Sequence, residues 1–198
     1  MTSTFEPTES LTGRVAVITG GTGAIGLASA KRLAQLGARC VLLYNSESAE
    51  SAAAKAAALP GSGHLCFKAP ITDSAALKAV AQQIADQCGV VHILINSAGY
   101  TKAVPAADLD GLSDELIDDI LKVNFRGVFA TIRAFMPLLK KSEDGLIVNI
   151  SSIAGFTGTG SNLAYVAAKA SIDVVGDALA KAFAPYVRVI SVSPGVVD

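Results

Sequence analysis

The chain has 198 residues, enough for one domain with a full core. Hydrophobic residues make up 51% and charged residues 17%, so its sheet or helices must be covered on both faces; a net charge of -1 with no basic block gives no case for nucleic acid or an anionic membrane as partner. No apolar run approaches the ~18–20 residues of a membrane span, and the polar, acid-bearing start MTSTFEPTESLTGR has no apolar stretch of a secretory signal. Residues 1–12 therefore read as a mobile N-terminal tail ahead of a single domain over 13–198. Cys40, Cys66 and Cys88 are odd in number and set in apolar context, which favours free thiols in a reducing compartment, so a cytoplasmic location is expected.

In chain order, Val15–Ile18 is a short apolar strand running into Thr19-Gly20-Gly21-Thr22-Gly23-Ala24-Ile25-Gly26. A helical pattern follows through Leu27, Ala30, Leu33 and Leu36 and stops at Gly37. Strand, glycine turn and helix together are the context in which glycines let a backbone approach a pyrophosphate, whose charge the helix N-terminus meets. A glycine turn without a ligand is the plainer alternative. Cys40–Tyr44 is a second strand and completes a βαβ unit. An NAD site usually carries an acid here, ~20 residues past the glycines, to hold the ribose diol. Tyr44, Asn45 and Ser46 stand there instead and Glu47 is the first acid, so NADP(H) is favoured and NAD(H) stays open.

An alanine-rich helix is expected over 47–59, ended by Pro60-Gly61, and a third strand over His64–Phe67 with His64 at the surface. Thr72 or Asp73 would cap the next helix. Val90–Asn96 is a continuous apolar run, as a parallel strand buried on both faces requires, with His92 read as structural. Over 108–119 acids interleave with Leu109, Leu112, Leu116, Ile117 and Ile120, which describes a helix with one solvated face. Asn124 falls inside the next long apolar helix, where it competes with backbone bonding and signals a local kink or a polar role. Gly145–Ser151 is a fifth strand, and Ser152 follows it. Ligands of open α/β sheets bind outside the carboxyl ends of strands, so Ser152, the glycine turn and Asn96–Gly99 should gather on one edge. Tyr165 and Lys169 lie four residues apart on a helix flanked by small apolar residues that expect burial on most sides. Such a pair either snorkels to solvent or has a job.

Taken together, these motifs resemble the short-chain dehydrogenase/reductase family: TGGTGAIG at 19–26, NSAG at 96–99, Asn124, Ser152, Tyr165-x-x-x-Lys169 and Ser193-Pro194-Gly195, in order and over nearly the whole chain. Among its branches, the 3-oxoacyl-carrier-protein reductases and the steroid or sugar-alcohol dehydrogenases are the most similar. The resemblance implies an α/β fold, a Rossmann-type doubly wound parallel sheet in three layers, with about six strands and helices on both faces. It implies an NAD(P)(H)-dependent oxidoreductase that interconverts a ketone and a secondary alcohol of a small molecule without a metal. Asn124, Ser152, Tyr165 and Lys169 are then the catalytic residues, with Tyr165 the general acid/base. A free tyrosine titrates at ~10, and the Lys169 charge would favour its phenolate. Asn124 would hold a water that passes protons to Lys169.

Cofactor contacts are implied at Gly20, Thr22, Gly23, Ala24, Ile25 and Gly26 in the turn, and at Tyr44, Asn45 and Ser46 after the second strand. Further contacts are implied at Ile71, at Asn96, Ala98 and Gly99, at Tyr165 and Lys169, and at Pro194, Gly195 and Val197. Departures from the family pattern are Ala24 for a glycine, Ser97 for a second asparagine, Ile190 for an asparagine and Pro70 for the aspartate that meets the adenine. Family members continue for a few dozen residues beyond the position of Asp198, so a substrate lid is expected to be lacking. The long apolar helices around 125–139 and 162–183 imply a homodimer or homotetramer. A non-enzymatic dinucleotide-binding or scaffold protein of the same fold is the alternative, and a nucleotide-sugar epimerase the more distant one.

Overall fold

The computed structural model describes residues 10–197. Six strands, β1 (Val15–Thr19), β2 (Arg39–Tyr44), β3 (Leu65–Lys68), β4 (Ile93–Asn96), β5 (Gly145–Ile150) and β6 (Val187–Val192), form one sheet in the order β3-β2-β1-β4-β5-β6. Every neighbouring pair is parallel, with Val17 facing Val41 on one side and Leu94 on the other. The chain winds outward from β1 to β3, returns to β4, and winds outward again to β6. The switch point lies between β1 and β4, where a doubly wound sheet opens a crevice at its carboxyl end.

The sequence alternation explains the layers. Val15 and Val17 join Val41, Leu43, Leu94 and Ile147 on the face covered by α3 (Ser74–Cys88), α5 (Val128–Lys141) and α7 (Leu163–Phe183). Ala16 and Ile18 join Cys40, Leu42, Ile93 and Ile95 on the opposite face, under α1 (Ala24–Gln35) and α2 (Ala49–Ala57). Phe135, fully buried, is the largest side chain of the first core. Burying a side chain of that size stabilises by about 3 kcal/mol. The expectation of cover on both faces holds from β3 to β5, where Val148 and Ile150 pack partly buried against the α1/α2 core. Along β6 that face is open among the described residues, leaving Ile190 48% and Val192 45% exposed.

Several boundaries differ from the sequence reading, each for a local reason. Asp73, rather than Thr72, caps α3 by accepting the Ala75 and Ala76 amides. The helix expected from 108 starts at Asp114 as α4 (Asp114–Leu121), because Asp108 turns the chain onto the Gly111 amide and Ser113 supplies the cap. His64 is half-buried rather than superficial: Nδ1 accepts the Cys40 amide at 3.0 Å and Nε2 lies 2.8 Å from Pro60 O. Residues 1–9 of the expected tail lie outside the described residues, whereas Leu11 is held by its amide on Leu36 O at 2.7 Å. The α7 helix is buried on one face only, through Ala164, Ala168, Lys169, Ile172 and Gly176, because Val174 faces away from the sheet. Among the described residues no helix is long and apolar enough to cross a membrane.

Candidate active site

The cleft forms where β1, β4 and β5 end. Thr19, the last residue of β1, accepts the amides of Ser97 and Ala98 on its hydroxyl at 3.1 and 3.2 Å, and so ties β1 to the turn after β4. Gly20 follows at φ +60°, and a Cβ there would lie 2.9 Å from Ala98 Cα. At Gly26 a Cβ would come within 2.3 Å of Gly20 O, so only glycine lets α1 begin this close to the turn. Side chains cap α2, α3, α4 and α7, but none caps α1, and its first turn carries no acid. Its free amides and the positive end of its dipole therefore remain for an anion. A bare cradle with an uncapped helix start fits the pyrophosphate of a dinucleotide.

Two connected cavities lie on this edge. The larger, about 560 Å³, is lined by Gly20, Thr22, Gly23, Tyr44, Asn45, Ser46, Glu47, Ile71, Thr72, Ala98 and Gly99. The smaller, about 280 Å³, is lined by Ile25, Asn124, Ser152, Tyr165, Lys169, Pro194, Gly195 and Val197. They share Ser97, Gly99 and Tyr100. Four side chains of expected catalytic function, from the π-helical turn (Lys122–Gly127), the end of β5 and α7, thus border one space.

Lys169 is 7% exposed. Its Nζ donates to Ile150 O at 2.6 Å and stands 5.5 Å from the centre of the Tyr165 ring. Burial pushes its ammonium down to about 8, against the pull of the Asp173 carboxylate. Asp173 lies one turn further along α7 and accepts the Ser151 hydroxyl at 2.9 Å, while its other carboxylate oxygen is buried with no protein partner. Ser152 accepts the Ala154 amide at 3.2 Å, which leaves its own O–H to be donated. Asn124 produces the kink its position signals: the helix widens to a π turn, and the side chain donates to Ile120 O and Tyr100 O at 2.9 and 2.6 Å and accepts the Tyr100 amide at 3.3 Å.

Three residues expected to touch a cofactor do not line either cavity. Ala24 and Gly26 belong to the start of α1. Asn96 is buried and donates to Asn149 Oδ1 at 2.9 Å, its own Oδ1 left without a protein partner. Ile153, Phe156 and Leu163, near the catalytic group in sequence, are 39%, 70% and 40% exposed. Two residues carry no expectation from sequence, Thr19 as a brace and Asp173. For Asp173 the signal was present: it stands four residues after Lys169, hence on the same helical face.

Comparison with known proteins agrees with this geometry. The short chain dehydrogenase family model matches residues 14–198. The chain is 35% identical over 189 residues to D-threitol dehydrogenase of Mycolicibacterium smegmatis, covering 94% of this chain and 71% of that one. It is 32% identical over 190 residues to the 3-oxoacyl-[acyl-carrier-protein] reductase of Thermotoga maritima, covering 95% and 76%. The solved structure of NAD+-bound xylitol dehydrogenase superposes with a TM-score of 0.87 at 28% identity, covering 94% and 72%. The chain belongs to the short-chain dehydrogenase/reductase family. It is an oxidoreductase of the NAD(P)-dependent kind, built on a six-stranded Rossmann-type sheet.

Proposed function

We propose that the protein interconverts a ketone and a secondary alcohol by hydride transfer, with Tyr165 as general acid/base. One observation carries the reading: Asn124, Ser152, Tyr165 and Lys169 border a single cavity that opens into the glycine-lined cleft. When bound, the nicotinamide supplies or accepts the hydride. Tyr165 delivers the proton to the carbonyl oxygen, with the Lys169 ammonium 5.5 Å from the centre of its ring. Ser152 donates its free O–H to the same substrate oxygen, where negative charge develops. Asn124 fixes Tyr100 and the π turn. Both its amide protons are in use and one acceptor lone pair remains, so a relay water would take that lone pair.

NADP(H) is favoured over NAD(H), because the end of β2 offers Tyr44, Asn45 and Ser46 and no carboxylate on the ribose at those positions. The substrate is a small carbonyl or alcohol, and the exposed Ile153, Phe156 and Leu163 suit an apolar one. Three free cysteines fit a cytoplasmic location. The apolar groove between α5 and α7, lined by Phe129, Ile132, Met136, Pro137, Leu179 and Phe183, fits assembly as a homodimer or homotetramer, which light scattering would read as a multiple of the chain mass.

The test is turnover by purified protein given NADPH or NADH with a panel of ketones. Oxidation of one cofactor that depends on a ketone supports the reading. Dinucleotide binding with no turnover on the panel would favour a binding protein of this fold instead.

A further inference from the structure

One charged cluster outside the catalytic group reaches the larger cavity. Glu47, Ser51 and Lys55 are spaced by four residues, so α2 brings Ser51 and Lys55 to the same side as the Glu47 that precedes it. Lys55 Nζ lies 2.6 Å from Glu47 Oε1 and donates to Thr22 O, in the glycine turn, at 3.1 Å. The Ser51 hydroxyl donates to the same carboxylate oxygen. Glu47, Thr22, Asn45 and Ser46 all line the cavity, whereas no lysine or arginine does. Lys55 is the cation that a neighbouring element brings up to the glycine turn from outside that wall, and its side chain keeps 35% of its surface open.

The chemistry of the adenosine half makes this placement consequential. A ribose diol asks for an acceptor, whereas a 2'-phosphate is a dianion that asks for a cation and hydroxyl or amide donors. Asn45, Ser46 and Thr22 supply the donors. A bare carboxylate on the rim would repel the phosphate. Glu47 is not bare: Lys55 and Ser51 both meet its Oε1, and with Thr22 they hold its carboxyl down to about 2.

We propose that Lys55, carried back to the glycine turn by α2, is the specificity-determining cation for a 2'-phosphorylated adenosine ribose, with Glu47 as the counter-ion that sets how much of its charge is free. The inference rests on the proposed reading of the cleft as a nicotinamide-dinucleotide site with NADP(H) favoured.

The test is calorimetry with two fragments that undergo no reaction, 2',5'-ADP and 5'-AMP. Wild type is expected to bind 2',5'-ADP the tighter. Lys55→Gln keeps a donor for Thr22 O but no charge, and is expected to lose about tenfold in affinity for 2',5'-ADP with 5'-AMP within about twofold. Lys55→Arg keeps the preference, and Glu47→Gln strengthens it by freeing the Lys55 charge. Equal loss of both fragments in Lys55→Gln, or no loss of either, overturns the proposal and leaves Lys55 a brace of the glycine turn. Wild type that binds both fragments equally overturns it too. Wild type that binds neither removes the reading of the cleft itself, and this inference with it.

Discussion

Asn124 grips the main chain of Tyr100 from both sides, donating to its carbonyl at 2.6 Å and accepting its amide at 3.3 Å. One buried side chain thereby joins the loop after β4 to the π turn that packs against α7, where Tyr165 and Lys169 stand. Asn124→Ala leaves the Tyr100 groups and Ile120 O without those partners. We expect a stability loss of about 1–3 kcal/mol, read by chemical denaturation, together with a fall in turnover. Unchanged unfolding would mean that water replaces the clamp at no cost.

Asp173 opposes the burial that lowers the Lys169 ammonium. In Asp173→Asn that opposition is gone, so Lys169 sheds its proton at lower pH than in wild type. The alkaline limb of the kcat/KM profile is expected to move to lower pH, with the acid limb in place. A structural role alone would lower the whole profile without moving either limb.

Stability follows the same group with a definite sign. Lys169 has a folded value of about 8 against 10.5 when unfolded, so between these values the unfolded chain holds the extra proton. Stability gains with rising pH across that window and is lost again on falling through it. Relative to Lys169→Met, wild type should gain on the order of 3 kcal/mol between pH 8 and 10.5, an upper figure for a group with some solvent contact. Urea denaturation of both proteins at the two ends of the window measures it. A difference that does not change with pH would show that the ammonium is well solvated.

The close packing at Gly26 gives a prediction about binding. Gly26→Ala would force a Cβ to within 2.3 Å of Gly20 O and push α1 off the turn. Dinucleotide affinity should fall at least about tenfold, with about 2 kcal/mol or more lost in stability. Gly13→Ala meets nothing within 4 Å, so it leaves binding unchanged even though its φ of +81° adds backbone strain.

How much of this was readable from sequence depended on whether the signal was local. Strand periodicity, the glycine turn and the Tyr165–Lys169 spacing are short-range patterns, and each led to the element and edge observed. Asn124 was legible as an oddity because asparagine inside an apolar helix needs a reason, yet its partner Tyr100 stands 24 residues away and could not be inferred. The open face of β6 was hidden for a similar reason. Composition reports how much apolar surface a chain carries, not where the helices that cover it fall. Lys55 lies in an alanine-rich helix whose sequence marks no function, and only the fold shows which turn of chain its ammonium meets.

The central claim is that Tyr165 moves the proton, and the measurement that addresses it is paired turnover and binding in wild type and Tyr165→Phe. With NADPH and whichever ketone wild type reduces, the variant is expected to bind the dinucleotide within a few-fold of wild type while its turnover falls by about a thousandfold or more. Turnover in Tyr165→Phe comparable with wild type would contradict the account.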